Sequence, residues 1–432
     1  MTSTSSRAFE IIVWGATGFT GKLVCQHIAQ AYQGRLRWAI AGRDKSKLEQ
    51  LRSDLSVINE GCKEVPILLA DARDGAAMGQ ILCQTRVVLA MAGPYALYGD
   101  KVLEQCVEQG THYCDITGET TWIKKSFLKY NEKAKEKGVK LVHCCGFDSI
   151  PSDLGTFMMV DYIKNHLGKK TAKVTALFGA AKGGVSGGTI ASGMNMVASE
   201  PLSEIMNMGS NAYYLAELAN KKGSDIPAPM LPSYIAPARC WAGPFIMEGV
   251  NGRIVHLSDA LVTGHYGTDF KYLEVSKTGV GWMGWITAGI VGALTATIST
   301  SMVLSPFRAL AKMVLPAPGQ GPSVEVQKSG FWKCNLYAES EEEAGTPGVL
   351  VEGLCGDPKR DPGYLSTSRM VLEAGLCLAL EDQRLLAQGC AQSGVMTAAA
   401  AMGMVLVERL RAAGFTWEVV RVAGKEAKTK AA

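Results

Sequence analysis

Over the first 150 residues the chain alternates short apolar runs with longer amphipathic stretches. The runs Phe9–Trp14, Leu36–Ala41, Val65–Leu69, Val87–Met91, Tyr113–Ile116 and Val139–His143 have strand length and predict β-strands. Between them the apolar residues fall at helical spacing, as at Val24, Ile28 and Ala31 after the first run. Strand and helix alternating through short connections predict a doubly wound parallel sheet, with right-handed crossovers and strand order 3-2-1-4-5-6.

Beyond Pro151 the rhythm changes. Lys173–Phe178 reads as a strand and is followed by the glycine-rich stretch Gly183-Gly184-Val185-Ser186-Gly187-Gly188-Thr189, then a helical segment. The proline-rich segment from Ile226 to Pro244 reads as loop. Phe331–Glu339 and Val349–Cys355 alternate faces around the acidic Glu341–Glu343 and predict a hairpin. A last helix is expected over Val395–Ala412, with Val395, Ala399, Met402, Leu406 and Leu410 in register, Arg409 and Arg411 at its C-terminal dipole and Gly414 beyond. The fold class expected is α/β: an N-terminal Rossmann domain, residues 1–150, and an α+β second domain, residues 151–394, with a mixed, largely antiparallel sheet. Residues 395–432 are expected to supply a helix and a strand that pack back on the Rossmann domain.

One stretch breaks every periodicity. From Thr278 to Phe307 no residue is charged; Lys277 precedes it, Arg308 and Lys312 follow, and Trp282 and Trp285 mark one end. Its length suits a bilayer, yet Gly, Ser and Thr dilute it, and one crossing would strand the last helix opposite the domain it should pack on. A contact with a membrane or lipid-droplet surface is the leading expectation; a buried core or homodimer element and a true span are the alternatives.

Composition narrows the function. Of 432 residues 47% are hydrophobic and 19% charged, which describes a packed globular protein. The net charge of +4, with no basic stripe interleaved with aromatics, gives no support to nucleic-acid binding. The 12 cysteines form no Cys-x-x-Cys, so free thiols are expected, without a metal site or disulfide framework. Adjacent Cys144 and Cys145 read as strand-end core. The few polar residues before the first strand do not read as a cleavable targeting sequence. The cytoplasmic face of membranes or lipid droplets is the expected location, with organelle association left open.

The chemistry centres on Gly15-Ala16-Thr17-Gly18-Phe19-Thr20-Gly21, set between a predicted strand and a predicted helix. In that context Gly15 permits the tight turn, Gly18 lets backbone approach a pyrophosphate at the helix N-terminus, and Gly21 allows close packing on the sheet. Strand two ends in Ala41-Gly42-Arg43-Asp44: glycine stands where a carboxylate would accept from a ribose 2′-hydroxyl, and Arg43 can grip a 2′-phosphate, with Lys45 and Lys47 nearby. This favours NADP(H), with NAD(H) as the alternative should Arg43 merely pair with Asp44. Asp71 is positioned to touch the adenine or to cap a helix. Ala92, Gly93 and Pro94 let backbone approach the nicotinamide ribose, and Tyr95 and Tyr98 face the reaction zone or pack. Asp148, Ser149, Ser152 and Asp153 follow strand six, and Asp115 and Glu119 follow strand five, at the edge where such sheets bind ligands. Tyr95, Asp148 and Ser149 are the candidate catalytic residues; a cap at Ser152 or Asp153 and a turn held by Asp115 are the structural alternatives. Gly187-Gly188-Thr189 lines a substrate pocket or makes a turn.

With these pieces the chain resembles the saccharopine dehydrogenase-like oxidoreductases of eukaryotes and is similar, more distantly, to mycobacterial trans-acting enoyl reductases of lipid synthesis. The resemblance covers nearly the whole chain. It rests on the glycine loop, Ala41–Arg43, Ala92–Tyr95, Asp115-Ile116-Thr117-Gly118-Glu119, Gly146-Phe147-Asp148-Ser149-Ile150-Pro151-Ser152-Asp153, Gly187–Thr189 and Asp361-Pro362-Gly363-Tyr364. It implies a Rossmann domain, a mixed α+β domain, a C-terminal helix returning to the first domain, and association with lipid droplets or membranes in some members. Saccharopine carries three carboxylates and would need converging cations, whereas Arg239, Arg253, Arg308, Arg360 and Arg369 are widely spaced. The expectation is therefore an NADP(H)-dependent oxidoreductase acting on an apolar or lipid-linked small molecule. A non-catalytic cofactor-binding scaffold on lipid surfaces and a saccharopine-type amino-acid dehydrogenase are the alternatives.

Overall fold

The computed structural model describes residues 7–32, 34–183, 187–303, 322–342, 348–390, 392–422 and 425–426. The first sheet holds β1 (Phe9–Trp14), β2 (Trp38–Gly42), β3 (Ile67–Leu69), β4 (Thr85–Ala90), β5 (His112–Asp115) and β6 (Lys140–Val142), all parallel and in the expected order. Burial on both faces explains why these strands read as continuous apolar runs. Helices α1 (Phe19–Ala31) and α2 (Lys45–Ile58) cover one face; α3 (Gly75–Leu82), α4 (Tyr95–Tyr98), α5 (Asp100–Gln109) and α6 (Thr120–Lys137) belong to the other.

The second sheet has eight strands in the order β15-β14-β12-β11-β7-β10-β9-β8. They are β7 (Thr171–Phe178), β8 (Ser233–Ile235), β9 (Cys240–Pro244), β10 (Lys271–Gly279), β11 (Trp332–Ser340), β12 (Leu350–Asp357), β14 (Thr416–Val422) and β15 (Lys425–Glu426). Only β7 and β10 run parallel; the expected hairpin is β11–β12, paired with Leu336 opposite Gly353. Between the sheets lies α7 (Ile150–Leu167), buried along most of its length against β7, β11 and β12. The remaining helices are α8 (Gly187–Ser199), α9 (Leu202–Ser210), α10 (Glu248–Leu261), α11 (Gly281–Val303), α12 (Val324–Lys328), α13 (Thr367–Leu380), α14 (Asp382–Ala387) and α15 (Ala398–Ala412).

Four features differ from the reading of the sequence. The segment Ile226–Pro244, read as loop, carries β8 and β9, whose pairing with each other and with β10 a proline-rich stretch does not announce. Val395 is not helical: β13 (Gly394–Met396) joins the first sheet beside β6, and the Thr397 hydroxyl, accepting from the Ala400 N–H, starts α15 only afterwards. The strand after the last helix, β14, pairs with β12 in the second sheet instead of returning to the first, because β12 otherwise presents an unpaired edge. Conversely α13, from the middle of the second unit, crosses to the first sheet. A Cβ on Gly375 would stand 2.4 Å from Leu89 Cδ2, so glycine sets how closely that helix approaches β4.

The apolar run forms α11, which lies across β9 and β10. Its small residues face inward: Ala288 is fully buried, and a Cβ on Gly292 would stand 2.4 Å from the Met230 carbonyl oxygen. Trp282, Met283, Trp285, Ile286, Ile290, Leu294 and Ile298 are exposed. Only 17% of an 18-residue apolar window within Gly281–Ser301 is buried, so the helix is not a core element of this chain. Residues 304–307 of the run lie outside the described residues.

Candidate active site and cofactor cleft

β1 ends at Trp14, and Gly15 turns the chain with φ +75°, a left-handed value that glycine takes at least cost. The Gly18 N–H donates to the Gly15 carbonyl at 3.0 Å and closes the turn. A Cβ on Gly21 would lie 2.3 Å from that same carbonyl oxygen, so no side chain fits there. Gly18 is the N-cap of α1 and brings no capping side chain, and the first turn holds no acid. The turn's N–H groups and dipole end therefore face an anion without a competing carboxylate. Ala16 is buried, while Thr17, Phe19 and Thr20 rim the mouth. These residues fit a dinucleotide pyrophosphate. Phe19 also meets Tyr364 edge-on, with centroids 4.9 Å apart, so the Asp361–Tyr364 motif packs directly on the phosphate loop.

Arg43 is exposed and has no ion-pair or hydrogen-bond partner among the described residues. Asp44 is occupied elsewhere: it caps α2 by accepting from the Lys47 N–H at 3.1 Å and pairs with Lys47 Nζ at 3.5 Å. The Arg43–Asp44 pairing considered from the sequence is thus not formed. Asp71 follows β3, but its carboxylate accepts from the Arg73 backbone N–H at 2.9 Å, Nε at 3.0 Å and Nη2 at 2.8 Å, which holds its pKa well below the carboxylate range. Asp74, not Asp71, caps α3. Arg73 was not apparent as a site residue in the sequence.

The loop after β4 abuts the phosphate loop: a Cβ on Gly15 would stand 3.0 Å from Ala92 Cβ. Gly93-Pro94 is a cis peptide. Glu119 clamps the start of α4, its two carboxylate oxygens accepting from the Tyr95 and Ala96 N–H groups at 2.8 Å each. Burial raises its pKa, and Ser192 of α8 adds a third hydrogen bond. Tyr95 is buried, stacks on Trp122 and donates its hydroxyl to the Ala90 carbonyl at 3.0 Å. Through that bond Tyr95 supports the loop. Tyr98 is 38% exposed.

Asp115, His143 and Ser126 make a buried chain: His143 Nδ1 meets Asp115 at 2.7 Å and Nε2 meets Ser126 Oγ at 2.9 Å. The distances are those of a nucleophilic triad. However, Ser126 donates to the Ile123 carbonyl at 2.8 Å and all three residues are sealed from solvent. Asp115 also accepts from the Thr117 and Cys144 N–H groups, fixing the ends of β5 and β6. It is a structural anchor.

After β6 the polar residues separate into two roles. Ser149 donates to Asn251 Oδ1 at 2.9 Å, Asn251 donates to Glu274 at 2.7 Å, and Tyr272 donates to the same carboxyl. That network ties Ser149 to α10 and β10. Asp153 accepts from the Ser258 hydroxyl and from the Ala399 N–H at 2.9 Å, so it serves the N-terminus of α15 and not its own helix. Asp148 is different. It is half-buried, its carboxyl has no hydrogen bond among the described residues, and burial pushes its pKa up to about 6. Beside it Phe147 meets Trp332 at 5.0 Å and Phe178 at 6.1 Å edge-on, and Phe178 stacks on Phe245 at 4.1 Å. This aromatic wall gathers the ends of β6, β7 and β9 and the start of β11, and only Phe147 of it was singled out from the sequence. Residues 184–186, and the side chains of Gly187, Gly188 and Thr189, lie outside the described residues; the backbone from Gly187 is the start of α8.

Two of the arginines singled out from the sequence are engaged elsewhere. Arg253 is spent on the Met208 and Gly209 carbonyls and Glu248, and Arg360 on Asp357 at 2.8 Å; Arg308 lies outside the described residues. Among the described residues no cluster could hold a metal.

A phosphate cradle at the C-terminal edge of a doubly wound sheet, joined to a second mixed sheet, defines a two-sheet protein of the dinucleotide-binding class. Comparison with known proteins makes this specific. Residues 11–142 match the family model of the saccharopine dehydrogenase NADP binding domain. A Mycobacterium tuberculosis protein provisionally named as a trans-acting enoyl reductase is 34% identical over 436 residues, covering 98% of this chain and 100% of that protein. The trans-acting enoyl reductase of Mycobacterium ulcerans is 31% identical over 441 residues, covering 97% and 100%. Among solved structures, saccharopine dehydrogenase (L-Glu forming) of Saccharomyces cerevisiae superposes with a TM-score of 0.51 over 95% of this chain and 99% of that one. At 12% identity, that is a likeness of fold. The chain belongs to the family of the trans-acting enoyl reductases, and its first sheet carries the saccharopine dehydrogenase type of NADP binding domain.

Proposed function

We propose that this protein is an NADP(H)-dependent oxidoreductase that reduces an apolar or lipid-linked substrate by hydride transfer while resting on a membrane or lipid-droplet surface. One observation carries the reading: the open phosphate cradle after β1 and Asp148 after β6, without a hydrogen-bond partner among the described residues, follow strands at the same C-terminal edge of the first sheet, and Phe147 beside Asp148 meets the aromatic residues of the second sheet. When bound, the cofactor supplies the hydride. Gly15–Gly21 would hold the pyrophosphate and Arg43 a 2′-phosphate, with the Ala92–Pro94 loop against the nicotinamide ribose. Phe147, Phe178 and Phe245 exclude water and receive apolar substrate. Asp148 holds the proton that accompanies the hydride. The exposed face of α11 supplies the lipid contact, and α11 touches α8, whose Ser192 meets the nicotinamide-side loop. The name of the relatives is consistent with an enoyl group as the acceptor.

The test is NADPH oxidation by the full chain on addition of acyl-linked enoyl, carbonyl or imine compounds, and of amino-acid metabolites. An acyl-linked compound is expected to drive it, and Gly18→Asp, which sets a carboxylate against the pyrophosphate, abolishes binding and turnover. Turnover retained in that variant overturns the cofactor assignment. NADPH that binds but is oxidised with none of these compounds establishes the scaffold reading instead.

A further inference from the structure

Arg43 and Asp71 follow neighbouring strand ends. β2 and β3 pair Gly42 with Leu69, and the Ala70 N–H donates to the Gly42 carbonyl at 3.1 Å, so Arg43 stands one position past this pair and Asp71 two, at the strand ends where the adenosine ribose of a dinucleotide binds. Arg43 is close enough for its charge to act on the Asp71 carboxyl. A free carboxylate at that spot works against a 2′-phosphate twice over: it repels the dianion, and it offers Arg43 a competing partner.

Arg73 removes both problems. It takes the Asp71 carboxylate through its backbone N–H, Nε and Nη2, leaving Arg43 without a partner among the described residues. The Arg73 and Asp71 side chains are 74% and 37% exposed. A pair so exposed contributes little to folding, so its position beside Arg43, and not its strength, is what gives it a use.

We propose that Arg73 is a specificity-determining residue for the cofactor: by sequestering Asp71 it keeps Arg43 available for the 2′-phosphate of a phosphorylated adenosine. The inference rests on the NADP(H) reading above. It is tested by fluorescence titration of the full chain with NADPH and with NADH, in the wild type, Arg73→Ala, and the double variant Arg73→Ala/Asp71→Asn. Arg73→Ala is expected to weaken NADPH binding about two- to fivefold, the size of an exposed charge interaction, and to leave NADH binding unchanged. Asp71→Asn keeps an oxygen for the turn but removes the charge, so the double variant regains wild-type NADPH affinity. Equal weakening of both dinucleotides, or a double variant no better than Arg73→Ala, overturns the masking role while the NADP(H) reading stands. A wild-type protein that binds neither dinucleotide overturns that reading and this inference with it.

Discussion

Among the polar residues clustered after β6, partners decide what each can do. Ser149 and Asp153 are bound into networks with Asn251 and with Ser258, respectively, whereas Asp148 keeps its carboxyl uncommitted and partly desolvated. With a pKa near 6, the acid that can donate a proton is present below that value and is lost as pH rises through it. Reductive kcat should therefore fall as pH rises through about 6. Asp148→Asn should lower kcat by about a hundredfold or more, the usual contribution of a positioned general acid, while leaving NADPH affinity near wild type. A variant that keeps the same pH limb would assign the proton to another group. The sequence placed Asp148 and Ser149 on the same footing, because the residues that separate them are remote: Asn251 is 102 positions from Ser149.

At the scale of the element, α11 shows how far periodicity reaches. The uncharged run was legible as a helix of membrane-spanning length, but its two faces are distinguished by size and not polarity, small residues against β9 and large apolar ones outward. No apolar stripe marks the buried side, so burial could not be read from the pattern. Replacing three exposed residues, Trp282→Asp, Ile290→Asp and Leu294→Asp, touches no core packing. Flotation of the full chain with phospholipid vesicles or artificial droplets should fall sharply in this variant, with NADPH binding retained. Flotation equal to wild type would count against a lipid contact through this face. β13 escaped notice for a different reason: three residues are too few to show alternation.

In the whole molecule, the seam between the two sheets is where acidic groups are buried without full charge compensation. Burial raises the pKa of Asp153 and of Glu274 to about 7 each, with hydrogen bonds only partly opposing it. For a carboxyl whose folded pKa lies above its unfolded value near 4, the stabilising contribution is complete below the unfolded value and is lost as pH rises through the folded one. The melting temperature should accordingly drop as pH rises from about 4 to about 7 and level off above that. The double variant Asp153→Asn/Glu274→Gln should flatten that slope, as read by calorimetry across the same range. An unaltered slope would show that these carboxyls do not control it.

The sequence by itself determined the first six strands of the first sheet, the phosphate loop and the β11–β12 hairpin. Each is written in contiguous residues whose spacing or glycine requirement is a local backbone property, and Arg43 could be read because it lies one residue past a strand end. The tertiary structure decided the rest. It put α13 from the second unit onto the first sheet, drew β13 and β14 into different sheets, and gave Tyr95, Ser149 and Asp153 partners that occupy them. Availability for chemistry depends on hydrogen bonds formed between segments far apart in the chain, and no local pattern of apolar and polar residues encodes which donors and acceptors those segments will already have satisfied.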